Sequence, residues 1–229
     1  MFETMKTKGL TGNQLKLIAM IAMTCDHVGL QLLPQVGILR IIGRLAFPIY
    51  AYMIAEGCRH TRNRTKYLLR VAGLAAVCQA VYFLAMGSLY MSILVTFSLS
   101  IVLIGLIENV QKKRTTGAAV AAFGALAATA FVCVGLPMIL KGTDFAVDYG
   151  LLGVLLPVLI YFGKPHENYL ITGLILMGLL NGGMQWFGLA AVPLLAIYNG
   201  QRGKGNVGKF FYIYYPVHLV VIHGLSLLI

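Results

Sequence analysis

Acidic side chains are scarce in this chain. Its 229 residues hold seven Asp and Glu against 18 Lys and Arg, and charged residues of every kind amount to 11%. Soluble domains carry about a quarter, so there is too little charge here to cover a water-facing surface. Cysteine is limited to Cys25, Cys58, Cys78 and Cys133. These lie mostly in or beside apolar runs and show no paired spacing, which argues against a disulfide framework and against a zinc site. There is no glycine-rich loop of the kind that cradles phosphates, no internal repeat and no low-complexity linker. The first apolar run contains Lys16, Asp26 and His27 and is not followed by a small-residue cleavage site. It reads as a retained helix, not a signal peptide.

What is present is hydrophobic. Apolar residues make up 59% of the chain and the mean hydropathy is +0.83, as expected of an integral membrane protein. A helix needs roughly 20 apolar residues to cross a hydrocarbon core about 30 Å thick. Polar breaks divide the chain into candidate spans at 13–33, 37–57, 67–86, 91–108, 117–138, 149–163, 168–182, 186–199 and 210–229. The expectation is an all-α polytopic transmembrane bundle of about nine spans, forming a single domain over 1–229. Spans seven and eight are short and joined by "NGGMQW", so a re-entrant hairpin is the alternative there.

Charge orients the bundle. With a cytoplasmic N-terminus, the inside loops hold Lys6, Lys8, Arg59, Arg62, Arg64, Lys66, Lys112, Lys113, Arg114, Lys164, Arg202, Lys204 and Lys209, and the outside loops hold Lys141 alone. The positive-inside rule therefore predicts N-terminus in and C-terminus out. It also favours two crossings for spans seven and eight, since otherwise "NGQRGKGNVGK" falls outside. The net charge of +11 is accounted for by topology and by contact with anionic lipid, and no nucleic-acid partner is expected.

Ionisable groups at membrane depth are costly and face a cavity, a partner or a pathway. Those within the spans are Lys16, Asp26, His27, Arg40, Arg44, Glu56, Arg70, His218 and His223. At about 1.5 Å per residue, His27, Arg44 and His223 fall roughly 20 Å from the inner face and His218 roughly 12 Å. Lys16 and His27 are eleven residues apart, which returns nearly to one helix face, with Met20 and Met23 between them. A long ligand with an anionic head and a reactive far end suits that track. Asp26 points about 100° away from His27, so Arg44, at similar depth, is its better expected partner. Blander roles compete. Asp26 and Arg44 could simply join two helices as an ion pair, Glu56 could pair with Arg59, Arg62 or Arg70, and His218 or His223 could donate to a backbone carbonyl. His60 and His166 read as solvated, and "FFYIYYP" as an interfacial belt. Pro216 is expected to kink the last span beside His218.

Three segments carry a family resemblance: "LKLIAMIAMTCDHVG" (15–29), "LRIIGRLAFPIYAYMIAEGCRHTRNRTKYLLR" (39–70) and "KFFYIYYPVHLVVI" (209–222). Together they resemble the TraX family, membrane proteins named for N-terminal acetylation of conjugative F-pilin. That family in turn looks like a distant relative of transmembrane acyltransferases whose first helix carries a basic residue, ten intervening residues and a His. Lys16 and His27 match that signature, with Lys where Arg is usual, which weakens the case for bidentate phosphate recognition.

The resemblance implies an acetyltransferase of the cytoplasmic (inner) membrane that takes acetyl-CoA as donor and needs no metal. Lys16, Arg40, Arg59, Arg62, Arg64 and Arg70 would meet the CoA phosphates. His27 would serve as general base or acetyl carrier, Arg44 would stabilise charge on the carbonyl, and Asp26 and His218 would complete the catalytic set. The acceptor would be an amine or hydroxyl on a peptide, pilin-like protein, sugar or surface polymer. A small-solute transporter or flippase, relaying protons through the same ionisable layer, is the alternative. The lack of an inverted repeat counts against it.

Overall fold

The computed structural model describes residues 9–205 and 207–228, apart from the side chains of 207–209 and 212. Lys6, Lys8 and the Lys209 side chain, counted above toward the inside charge, lie outside the described residues. Helix α1 (Gly12–Gln31) opens on a capping box, in which the Thr11 hydroxyl accepts from Gln14 N–H and the Gln14 side chain accepts from Thr11 N–H. Both otherwise orphaned donors are thereby satisfied.

The second apolar run divides into α2 (Gly37–Gly43) and α3 (Ala46–His60). The cause is local. Pro48 has no N–H to give the carbonyl four residues back, which is that of Arg44, and its ring crowds it. The chain tightens there, with Arg44 N–H bonded to Ile41 O and Leu45 N–H to Ile42 O.

Helix α4 (Arg64–Met86) is capped by the Asn63 side chain and ends at Gly87, whose φ of +61° is the left-handed geometry that glycine adopts without strain. Helix α5 (Ile93–Lys113) follows. Helix α6 (Thr116–Ala130) runs through a π-turn at Phe131–Gly135 into α7 (Leu136–Ile139). Pro137, one residue inside α7, accounts for that turn, because a missing donor is accommodated by a local change in hydrogen-bond register.

Helix α8 spans Gly150–Phe162 and α9 spans His166–Asn181. Gly182 and Gly183, both at positive φ, reverse the chain into a 3-10 helix (Gly183–Ala190) that continues as α10 (Ala191–Ala196). Trp186 lies over Gly178, where an added Cβ would come within 2.7 Å of the indole. Helix α11 is Val207–Ser226; Pro216 sits inside it without ending it.

With α2 and α3, α6 to α7, and the 3-10 helix and α10 each taken as one, the described residues form nine helical segments and no strand, matching the nine runs read from the sequence. Four helices are long and apolar enough to cross a membrane: Gly37–His60, Arg64–Met86, Ile93–Lys113 and Thr116–Ile139. Gly150–Phe162, Gly183–Ala196 and Ile213–Ser226 are apolar but shorter. Only 6% of the most apolar window of Thr116–Ile139 is buried within the protein, so its surface is of the kind that lipid, not protein, covers.

The chain forms two compact units, one of Met1–Met53 with Gly163–Ile229 and the other of Ile54–Phe162. In the first, α1 packs on α2 and α11, while α9 packs on the 3-10 segment and α10. A loop fastens its ends together: Gly12 and Asn13 N–H donate to the carbonyls of Gln201 and Arg202, and the Asn13 amide reaches those of Gly203, Lys204 and Gly205. In the second, α5 packs on α4, α6 and α8. Its connecting loops meet where the Asp144 carboxylate accepts from the Ser88 hydroxyl and from Leu89 N–H, bonds that hold this carboxyl below the usual range.

Candidate active site

Two polar clusters occupy the first unit. The larger charge cluster centres on Asp26, on α1. Its Oδ2 accepts from Arg40 Nη1 at 2.8 Å and its Oδ1 from Arg44 Nη2. Arg40 also reaches the Asp26 backbone carbonyl at 3.3 Å. Arg40 and Arg44 are one helical turn apart, so both project to the same side, and Arg44 stands at the turn between α2 and α3. Gly43 makes the approach possible, since a Cβ there would collide with the Asp26 carboxylate. Arg44 was expected to partner Asp26, and the structure gives its Nη2 to that carboxylate. This is the helix-joining ion pair that the sequence also allowed, enlarged to a triad by Arg40.

The second cluster contains His27. Its Nδ1 lies 2.8 Å from Nε2 of His218, and the two rings, 5.0 Å between centroids, are within 10° of parallel, so the nitrogens face each other end to end. His218, buried at 5% exposure, places its Nδ1 3.1 Å from the carbonyl of Tyr214. That carbonyl can only accept, so His218 Nδ1 bears the proton, and Nε2 of the neutral ring is left as acceptor. His27 must then donate from Nδ1. Its Nε2 is left as a lone pair with no partner among the described residues. Tyr214 is parallel to His218 within 5° and bonds Thr24 on α1 at 2.5 Å. Thr24 and His27 are three residues apart on one face of α1, and Tyr214 and His218 four apart on α11, so two bonds join the same pair of helices.

Depth counting had placed His223, not His218, level with His27. It assumed that upright helices start in one plane. Packing of α11 on α1 sets a different axial offset, and His218, five residues earlier on α11, meets His27.

Lys16, half-buried on α1, lies under the electrostatic influence of Arg202, which the loop bonds at Gly12 and Asn13 hold near the same helix end. Met20 and Met23, between Lys16 and His27, are buried, so this stripe faces the interior of its unit. Arg202, Thr24 and Tyr214 were not singled out in the sequence. Arg202 was read as a topology charge, and a tyrosine in an aromatic run gives no hint that its carbonyl orients a histidine.

The remaining expected phosphate contacts belong to the second unit. Arg59 bonds Glu56 at 2.5 Å, as expected for Glu56, and donates to the carbonyls of Ile160 and Tyr161. Arg64 bonds Glu108 at 2.5 Å, Cys58 O at 3.2 Å and the Tyr161 hydroxyl at 3.2 Å, while that hydroxyl donates to Glu108. Both guanidinium groups lie over the Tyr161 ring, 5.5 and 5.7 Å from its centroid. These two arginines tie α3 and α4 to α5 and α8. Arg62 and Arg70 are exposed. His60, expected in solvent, is largely exposed yet within 3.3 Å of Glu56. Arg64→Ala is expected to destabilise by about 1.5–3 kcal/mol, the worth of hydrogen bonds to a charged group, and Arg62→Ala by less than about 0.5 kcal/mol. Thermal unfolding of the two variants in nanodiscs measures the contrast.

Comparison with known proteins now bears on the site. The family model described as "TraX protein" matches residues 11–226. The chain belongs to the TraX family. It is similar over 91% of its length to the probable fimbrial assembly protein FimC, serogroup H1, of Dichelobacter nodosus, at 27% identity and covering 93% of that protein. Over 93% of its length it is similar to Protein TraX of Escherichia coli, at 25% identity and 86% coverage of that chain. A stretch of 38 residues is 55% identical to an uncharacterised protein of Rickettsia prowazekii, 17% of this chain and 15% of that one. No solved structure matches. The TraX match runs from the α1 cap through α11, so it encloses both partners of the His27–His218 pair.

Proposed function

We propose that this TraX-family protein is a membrane-embedded acyltransferase that takes an acetyl group from cytoplasmic acetyl-CoA and passes it to an amine or hydroxyl acceptor. The observation that carries the reading is the ordered chain from the Tyr214 carbonyl through His218 to His27, which leaves His27 Nε2 unprotonated on the same helix as Lys16. A base oriented in this way takes a proton from an acceptor nucleophile, and its second nitrogen shares the resulting charge with His218. Lys16, with Arg202 beside it, provides cationic contacts for the CoA phosphates at the inner surface. Exposed Arg62 and Arg70, on the second unit, offer positive charge to anionic headgroups.

The charge distribution supports an N-in, C-out arrangement in the cytoplasmic (inner) membrane with the lipid bilayer as constant partner. The name of the Dichelobacter relative, a probable fimbrial assembly protein, and the pilin acetylation for which the family is named favour a pilin-like or other peptide acceptor over a sugar or surface polymer.

The test is thermal unfolding and CoA release with acetyl-CoA, on purified protein in nanodiscs. Binding at 100 times Kd raises stability by about 2.7 kcal/mol, and a peptide with a free N-terminal amine serves as acceptor probe. Neither a stability shift nor CoA release would remove the acyltransferase reading and bring forward the transporter.

A further inference from the structure

Acyl transfer from a thioester builds negative charge on the carbonyl oxygen, and a donor must meet it. Asp26 already holds Arg44, the group first expected to serve. Among the described residues of the first unit, Tyr50 stands out. It lies on α3, its residue is 8% exposed, and its hydroxyl has no hydrogen-bond partner. A buried hydroxyl left unpaired costs free energy and calls for a reason.

Its surroundings supply one. The Tyr50 ring packs against Phe211, at 5.2 Å between centroids, and its phenol is near enough to that of Tyr214 for a charge on either to be felt by the other. Phe211, Tyr214 and His218 recur at three- and four-residue intervals on one face of α11. The Tyr214 proton is already committed, because the Thr24 hydroxyl gives its own proton to Met20 O at 2.9 Å and so accepts from Tyr214. Tyr50 thus brings an uncommitted O–H to the helix face that orients His27.

We propose that Tyr50 is a catalytic residue whose hydroxyl donates to the acyl carbonyl oxygen of the thioester, a role that rests on the acyltransferase reading. As His27 Nε2 takes the proton of the acceptor amine or hydroxyl, the acceptor atom forms a bond to the carbonyl carbon. The carbonyl oxygen gains negative charge and draws a stronger hydrogen bond from Tyr50, which keeps its proton. The C–S bond then breaks, and the CoA thiolate leaves with the proton carried by His27. Acyl acceptor and CoA thiol are the products, and no other reactant is required.

The experiment compares wild type with Tyr50→Phe in nanodiscs, using acetyl-CoA and S-ethyl-CoA, a thioether that lacks the carbonyl oxygen. Wild type is expected to bind acetyl-CoA roughly three- to tenfold more tightly than the thioether, the worth of one net hydrogen bond. Tyr50→Phe should lose that preference while still binding the thioether, and should unfold at an unchanged or higher temperature, because the hydroxyl satisfies no partner. Acyl transfer, where measured, should fall about 10²-fold or more. Wild type that binds neither ligand overturns the acyltransferase reading and this role with it. Equal binding of the two ligands by wild type, a preference retained in Tyr50→Phe, or a large loss of stability in that variant overturns the role of Tyr50 alone.

Discussion

Replacing His27 by alanine is expected to lower acyl transfer by about 10²–10⁴-fold, the range for removing a general base, while the protein still folds and still binds CoA. The expectation follows from proton positions. His218 has its Nδ1 proton on the Tyr214 carbonyl and takes the His27 proton on Nε2, so His27 offers its far nitrogen to a substrate. His218→Ala removes the group that selects this tautomer without removing the base, and its effect should be smaller. It should also alter the pH profile of transfer, which a merely structural histidine would leave in place. The comparison is CoA release by wild type and both variants, with circular dichroism as a control for folding. Full activity in His27→Ala would refute the mechanism.

Asp26→Ala is expected to act on folding first. At 17% side-chain exposure, Asp26 compensates Arg44 at 9% and Arg40 at 22%, and its loss removes the carboxylate that both guanidinium groups share. Breaking a buried ion pair from one side costs about 3–5 kcal/mol, on the order of 10 °C in melting temperature for a chain of this size. Replacing Asp26, Arg40 and Arg44 together with apolar residues of similar volume should recover most of that loss, because it removes the charges instead of stranding them. Thermal unfolding of the single and triple variants decides the matter. A single variant that melts like wild type yet transfers no acetyl group would return Asp26 to the catalytic set.

Much of the fold was legible. Nine apolar runs separated by polar breaks correspond to nine helical segments, since hydrophobic length and turn residues are properties of the local chain. The breaks at Pro48 and Pro137 were missed although both prolines were in view, because a proline can kink, shift or end a helix, and its neighbours in space choose among these. Pro216 lies inside α11 without ending it. The site was legible in its members more than in its pairings. Lys16, Asp26, His27, Arg40, Arg44 and His218 all lie in the first unit, while Arg59 and Arg64 are engaged with Glu56, Glu108 and Tyr161 in the second. Tyr50 left no trace in the sequence, since a tyrosine in an aromatic stretch looks the same whether or not its hydroxyl is satisfied.

The sequence by itself determined that this is a helical membrane protein of the TraX family, with Lys16 and His27 on one stripe of its first helix. Composition, run length and the geometry of a single helix are enough for that. Tertiary structure alone decided that His27 meets His218 and not His223, that Arg40 joins Arg44 on Asp26, and that Tyr50 is buried with its proton uncommitted. Such choices depend on the axial offset and rotation of one helix against another, which arise from packing over the whole unit and are written in no local stretch of the chain.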